Sequence, residues 1–152
     1  MNKKMRFASL AMILTMAVMG LTSTGFADQK VELKARQNRR INGFQAELRG
    51  DYREKSGPNR LNGELGQINV PLGTPVAFCL VHSGVSSLVT VADVARIGGE
   101  VQAQFELEAE HGDSIPKVVA GDLLQAHQSL KAPFNPNPTC SDVLLLSAPF
   151  LK

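Results

Sequence analysis

The chain has no tryptophan and a single tyrosine, Tyr52, among 152 residues. Sugar sites built on stacking use amphipathic rings at the surface, so a broad aromatic platform for carbohydrate is disfavoured. Cysteine is nearly as sparse: Cys79 and Cys140 are the only two, so they allow a single intramolecular pairing. No G-x-S-x-G element is present. Ser83, Ser86 and Ser87 stand in turn sequence without a neighbouring base, so no catalytic constellation and no catalytic residue is assigned. The sequence calls for no cofactor, and no segment combines sustained helical periodicity with caps.

Methionine is absent beyond position 19: Met1, Met5, Met12, Met16 and Met19 all fall in the opening stretch MNKKMRFASLAMILTMAVMGLTSTGFADQK. Lys3, Lys4 and Arg6 make a positive start and Phe7 to Leu21 an apolar run. Gly25-Phe26-Ala27 then places small residues where a signal peptidase reads. Residues 1–27 are therefore expected to be a secretory signal peptide cleaved between Ala27 and Asp28. The apolar run is shorter than the roughly 20 residues that span a bilayer, so no transmembrane segment is expected after cleavage. No cysteine follows the run and no twin arginine precedes it, which favours the general secretory route without a lipid anchor. The expected location is the periplasm or the medium.

Removing that segment leaves thirteen basic against fourteen acidic residues, and the net charge moves from +2 to −1. A nucleic-acid partner loses its main support. The remaining charge is uneven: residues 28–60 hold nine basic and five acidic groups, residues 61–152 four and nine. Solvated outer faces of strands account for this, and a basic patch toward anionic glycans or lipid headgroups is the sharper alternative.

The remaining length, 28–152, suits one domain, and its dominant period is two. In KVELKAR, Val31, Leu33 and Ala35 share a face. In GFQAELRGDY, Phe44, Ala46, Leu48, Gly50 and Tyr52 do so, and in EVQAQFELEAE, Val101, Ala103, Phe105, Leu107 and Ala109. Such alternation marks half-buried antiparallel strands with one wet face. RLNGELGQINV, VAFCLVH, LVTVADVARI and DLLQAHQ lie between turn clusters rich in Gly, Pro and Ser. A slip of period in RLNGELGQINV predicts a bulge near Gly66, and DSIPKVVAGD is expected to carry one 3₁₀ turn. The expected fold is all-β: a single antiparallel β-sandwich of immunoglobulin-like proportions with seven or eight strands.

Outside the cytoplasm two cysteines allow one intramolecular pairing, so a Cys79–Cys140 disulfide is expected to pin the Pro/Asn-rich segment 131–142 onto VAFCLVH. The C-x-x-H spacing of Cys79 and His82 suggests a thiol or metal site instead, but residues three apart on a strand point to opposite faces. His82, His111 and His127 lack zinc or copper spacing. Glu110, Asp113 and Asp122 match no calcium loop. No metal is assigned, and His82, His111, Asp113 and Asp122 remain the weak candidates.

The stretch VPLGTPVAFCLVHSG followed by GEVQAQFELEAEHGDSIPKVVAGDLLQAH, within residues 70–127, resembles small exported bacterial proteins of unassigned function. Their strands are joined through P-x-G-T and G-D-x-I-P-x-V-x-A-G-D turns. That resemblance implies export and a β-rich fold and transfers no site residue. The expected role is a binding or structural one in the envelope or outside the cell, toward an envelope protein, a glycan or a lipid surface. A hydrolase or metal enzyme built from loop histidines and carboxylates is the alternative. A third is a subunit of a surface assembly, because the apolar run in SDVLLLSAPFLK closes its own sheet or is lent to a second chain by β-addition.

Overall fold

A computed structural model describes residues 30–54, 59–129 and 131–152; the expected leader and cleavage site, Ala27 and Asp28, lie outside them. Nine strands occupy the described residues: β1 (Val31–Ile41), β2 (Phe44–Glu54), β3 (Arg60–Gly66), β4 (Pro75–His82), β5 (Val85–Asp93), β6 (Ala95–Ile97), β7 (Glu100–Glu108), β8 (Leu123–His127) and β9 (Leu144–Leu151). No helix among the described residues is long and apolar enough to cross a membrane.

The architecture is all-β and antiparallel. The strands form one curled sheet in the order β5-β4-β8-β9-β1-β2-β3-β7-β6, rather than the two facing sheets of a sandwich. Two local features account for the difference. β9 pairs with β8 along most of its length and with β1 through Lys34↔Leu151 and Ala35↔Phe150, which ties two would-be layers into one sheet. The expected strand LVTVADVARI also breaks at Val94, so one strand becomes two, β5 and β6, at opposite edges of the sheet. Val94 is buried at the crossing, where its N–H donates to the Thr74 carbonyl (2.9 Å) and its carbonyl accepts the Gly73 N–H (2.7 Å). Curling brings β4 opposite β7, and the rings of Phe78 and Phe105 meet across the interior with centroids 4.9 Å apart.

The period-two faces read from the sequence supply the core. Leu33, Ala35, Ala46, Leu48 and Tyr52 are buried alongside Leu61, Leu65, Phe78, Leu124 and Phe150. Phe44 departs from its expected inward position, being 47 % exposed at the Asn42-Gly43 turn. Both turn residues have positive φ, 47° and 86°, as the two-residue hairpin that matches strand twist requires. The predicted bulge near Gly66 is instead the end of β3, where Gln67 turns left-handed at φ 57°. Ladder irregularities occur at Phe78/Cys79 and Ala126/His127. The 3₁₀ turn sits earlier than expected, at Ala109–His111, because Pro116 and the tight turn at Gly121 leave the segment after it extended.

The Cys79–Cys140 disulfide is present, joining Cα atoms 5.9 Å apart. Cys79 faces away from Phe78, so the bond draws segment 131–142 across the outer side of β4. The tail is also held by polar groups. Gln128, fully buried, donates through Nε2 to the carbonyls of Pro75 and Asn135 (3.0 Å to the latter), while its Oε1 accepts the N–H groups of Ser129 (2.6 Å) and Asn135 (3.1 Å). Asp142 accepts from the Thr139 N–H (2.7 Å) and Asn135 Nδ2 (3.0 Å), and its own carbonyl accepts the Nδ1–H of buried His127 (2.9 Å).

Candidate binding trough

Where β1, β2, β3 and β7 lie side by side, over residues 33–36, 46–53, 60–65 and 103–106, inward and outward positions alternate, and the outward side carries a concavity of about 540 Å³. Its floor is one cross-strand row, Ala35↔Gly50↔Gly63↔Phe105. Glycine is required at both central positions by close approach from inside. A Cβ on Gly50 would lie 2.6 Å from Leu124 Cδ2, and one on Gly63 would lie 2.4 Å from Phe105 Cε1. With no side chain to hold them off, core groups press against the strand backbone, and the outer surface is indented over this row.

Two rows of outward side chains wall the indentation. One is Lys34↔Asp51↔Asn62↔Glu106 and the other Arg36↔Arg49↔Glu64↔Gln104, with Arg60 at one corner. Four strands at the usual spacing make a slot about 14 Å long, and walls two residues apart along a strand make it about 7 Å wide.

Arg36 and Arg49 stand directly opposite one another, a like-charge pair that costs stability unless bridged. Glu47, in the next row, supplies the bridge: its two carboxylate oxygens accept from Arg36 Nε and Arg49 Nη2, each at 2.5 Å. Arg49 above all, and Arg36 with it, hold the Glu47 carboxyl below its ordinary range despite partial burial, and Glu47 in return raises the Arg49 guanidinium above its own. One carboxylate thus serves two guanidiniums and leaves other N–H groups of both without a partner among the described residues. Across the slot Arg60 pairs with Glu106, while its shielded Nε is 3.5 Å from Glu108, too far for a hydrogen bond. The slot is therefore cationic on its β1–β2 side, apart from Asp51, and chiefly anionic on its β3–β7 side.

The weak metal candidates do not converge. His82 donates Nδ1–H to the buried Asp122 at 2.8 Å, and the other Asp122 oxygen accepts the Val119 N–H (2.9 Å). Asp113 caps the Glu108 N–H (2.9 Å), and His111 Nδ1 sits 3.5 Å from Glu108. Among the described residues no three metal-ligating side chains come together. His82 and Asp122 do meet, forty positions apart in sequence, in a pairing that fastens the end of β4 to the β7–β8 connection.

Alternation puts Arg49, Asp51, Gln104 and Glu106 on the wet faces of their strands, but nothing in their spacing announces a site. The available signal was glycine at two inward strand positions, Gly50 and Gly63, a mark of close approach by another group. Comparison of the chain with family models, with curated proteins and with solved structures finds no match.

Proposed function

We propose that the chain is an exported, disulfide-stapled binding module whose trough takes a carboxylate-bearing glycan. The pairing of Arg36 and Arg49 on a single carboxylate carries this reading. Guanidinium N–H groups in excess of their partner match a second carboxylate in bidentate fashion. Asp51, Asn62, Glu64 and Gln104 line the same slot and suit sugar hydroxyls, which both donate and accept. Recognition is polar rather than by stacking: Tyr52 is buried and the Phe105 ring lies beneath the floor. Export rests on the leader, and the disulfide is in keeping with an oxidising compartment. Mass determination of the recovered protein tests export, with a chain starting at Asp28 expected and one still beginning at Met1 contradicting it.

Titration calorimetry with an oligogalacturonate against an uncharged oligosaccharide of equal length tests the ligand class. Binding of the acidic ligand alone, weakened by salt and lost in Arg49→Ala, is expected. Equal binding of both sugars, or acidic-ligand binding unchanged in Arg49→Ala, overturns it.

A further inference from the structure

Of the three carboxylates that line the trough, two are committed: Asp51 pairs with Arg53 (3.1 Å) and Glu106 with Arg60. Glu64, half-buried on β3, forms neither an ion pair nor a side-chain hydrogen bond among the described residues. It stands opposite Arg49 in the register, yet that guanidinium binds Glu47 instead. Glu47 above all, and Glu64 at longer range, raise the Arg49 guanidinium above its ordinary value. The Glu64 carboxylate leans over Gly66, where there is no side chain to meet it. A carboxylate partly withdrawn from water without a counterion is costly, and a ligand cation would offset that cost.

Arg36, Arg49, Glu47 and Glu64 together carry no net charge. A ligand bearing a carboxylate alone leaves this group with a negative excess, and sets Glu64 beside the incoming anion. A ligand that also bears an ammonium keeps the group neutral. β2 and β3 are neighbours in the sheet, and one to one and a half strand spacings separate a carboxylate on Arg36 and Arg49 from an ammonium on Glu64, roughly 5–7 Å. That is the separation of groups on adjoining sugar rings, too long for two charges on one carbon.

We infer that the trough takes a bipolar glycan: a uronate carboxylate lies on Arg36 and Arg49, and the protonated free amine of the adjoining amino sugar lies on Glu64. This rests on the reading of the trough as a site for a carboxylate-bearing glycan, and narrows it. The arginines supply the anchor. Glu64 sets the preference for a free amine over its uncharged N-acetyl form, by attraction at a surface still partly open to water.

Calorimetry at about pH 6, where an amine keeps its proton, tests it with an oligosaccharide of alternating glucuronate and N-acetylglucosamine, before and after N-deacetylation. The deacetylated form is expected to bind about five-fold more tightly. In Glu64→Gln, with unchanged circular dichroism showing that the variant folds, that advantage is expected to vanish while the acetylated form still binds. Equal affinity for the two forms, or an advantage that survives in Glu64→Gln, overturns the inference. A glutamate–lysine dipeptide that competes as well as the deacetylated sugar assigns the site to peptide and overturns it too. If both forms bind equally and both are lost in Arg49→Ala, the acidic-glycan reading stands and this inference alone falls; if neither form binds, both fall.

Discussion

The two halves of the outer surface solve the same problem in different ways. On β1, β2, β3 and β7 the outward positions are densely charged, and a network of cross-strand and same-strand ion pairs leaves that face open to water. On β4, β8 and β9 the outward positions include Ala77, Cys79, Val81, Gln125, Ser147 and Pro149, with no formal charge, and segment 131–142 is laid across part of them. Charge keeps one face wet and solvent-tolerant; the other is closed by a strap. The strap has little apolar surface of its own, so it depends on a covalent bond and on satisfied polar groups, while the charged face depends on neither. The two faces should therefore fail differently.

Breaking the strap is expected to have the largest effect. Cys79→Ser or Cys140→Ser removes a crosslink spanning 61 positions, for which the chain-entropy estimate is about 4 kcal/mol. A melting temperature lower by about 10–20 °C is expected, with proteolysis confined at first to residues 131–142. Loss of stability without selective cleavage of that segment would show that the strap is not what the bond holds. Gln128→Ala comes next. It strands two part-buried carbonyls and two N–H groups together, at a cost of about 3 kcal/mol, measurable by urea denaturation. A cost below about 1 kcal/mol, the size of an ordinary net hydrogen bond, would mean that the disulfide alone fastens the tail.

The difference between the halves also decides what was legible in the sequence. β2 and β7 declare themselves through alternation over nine residues each, and β1 through the shorter KVELKAR, because a strand wet on one side must alternate. Strands covered on both sides carry no such signal: PVAFCLVH has five consecutive fully buried residues, and its place in the sheet depends on distant partners. The disulfide could be read because two cysteines admit one pairing. Gln128 could not, since a glutamine after a strand looks like any polar residue until Pro75 and Asn135 are brought to it. The crossing between the two edges of the sheet is likewise hidden, because LVTVADVARI reads as one continuous strand and only the bonds of Val94 to Gly73 and Thr74 show where the chain leaves one edge for the other. The trough required the register Ala35↔Gly50↔Gly63↔Phe105, which no local pattern encodes.

Gly63→Ala sharpens the comparison from the charged side. The added Cβ would meet Phe105 Cε1 at 2.4 Å, so the ring or the strand must move, at about 1–3 kcal/mol. A shallower slot should weaken binding of the acidic oligosaccharide by more than the fold is destabilised, while leaving the tail as resistant to protease as before. Compensating substitution of Phe105 by Leu should recover stability. Binding should return with it, and affinity that stays low once stability is recovered would show that slot depth is not what Gly63→Ala changed.

The smallest effect is expected at Glu47, and it separates stability from recognition. Arg49 first, and Arg36 with it, depress the Glu47 carboxyl. The folded protein therefore keeps this group ionised to lower pH than the unfolded chain, where it titrates near about 4.3. The resulting stabilisation is complete above that value and fades as pH falls through the depressed one. Asp142 behaves alike on the strap, held down by the Thr139 N–H and then Asn135, so acid should loosen both halves. Glu47→Gln is expected to remove only the charged half's share: a loss of at most about 1 kcal/mol at pH 7, given how exposed both arginines are, and a smaller decline between pH 7 and pH 3. The same change leaves Arg36 and Arg49 facing each other without their shared anion, so an acidic oligosaccharide should bind more tightly as the fold weakens. Chemical denaturation across pH and calorimetry at pH 7 measure the two quantities separately. If affinity falls together with stability, Glu47 acts by holding the arginines in position for ligand rather than by competing with it.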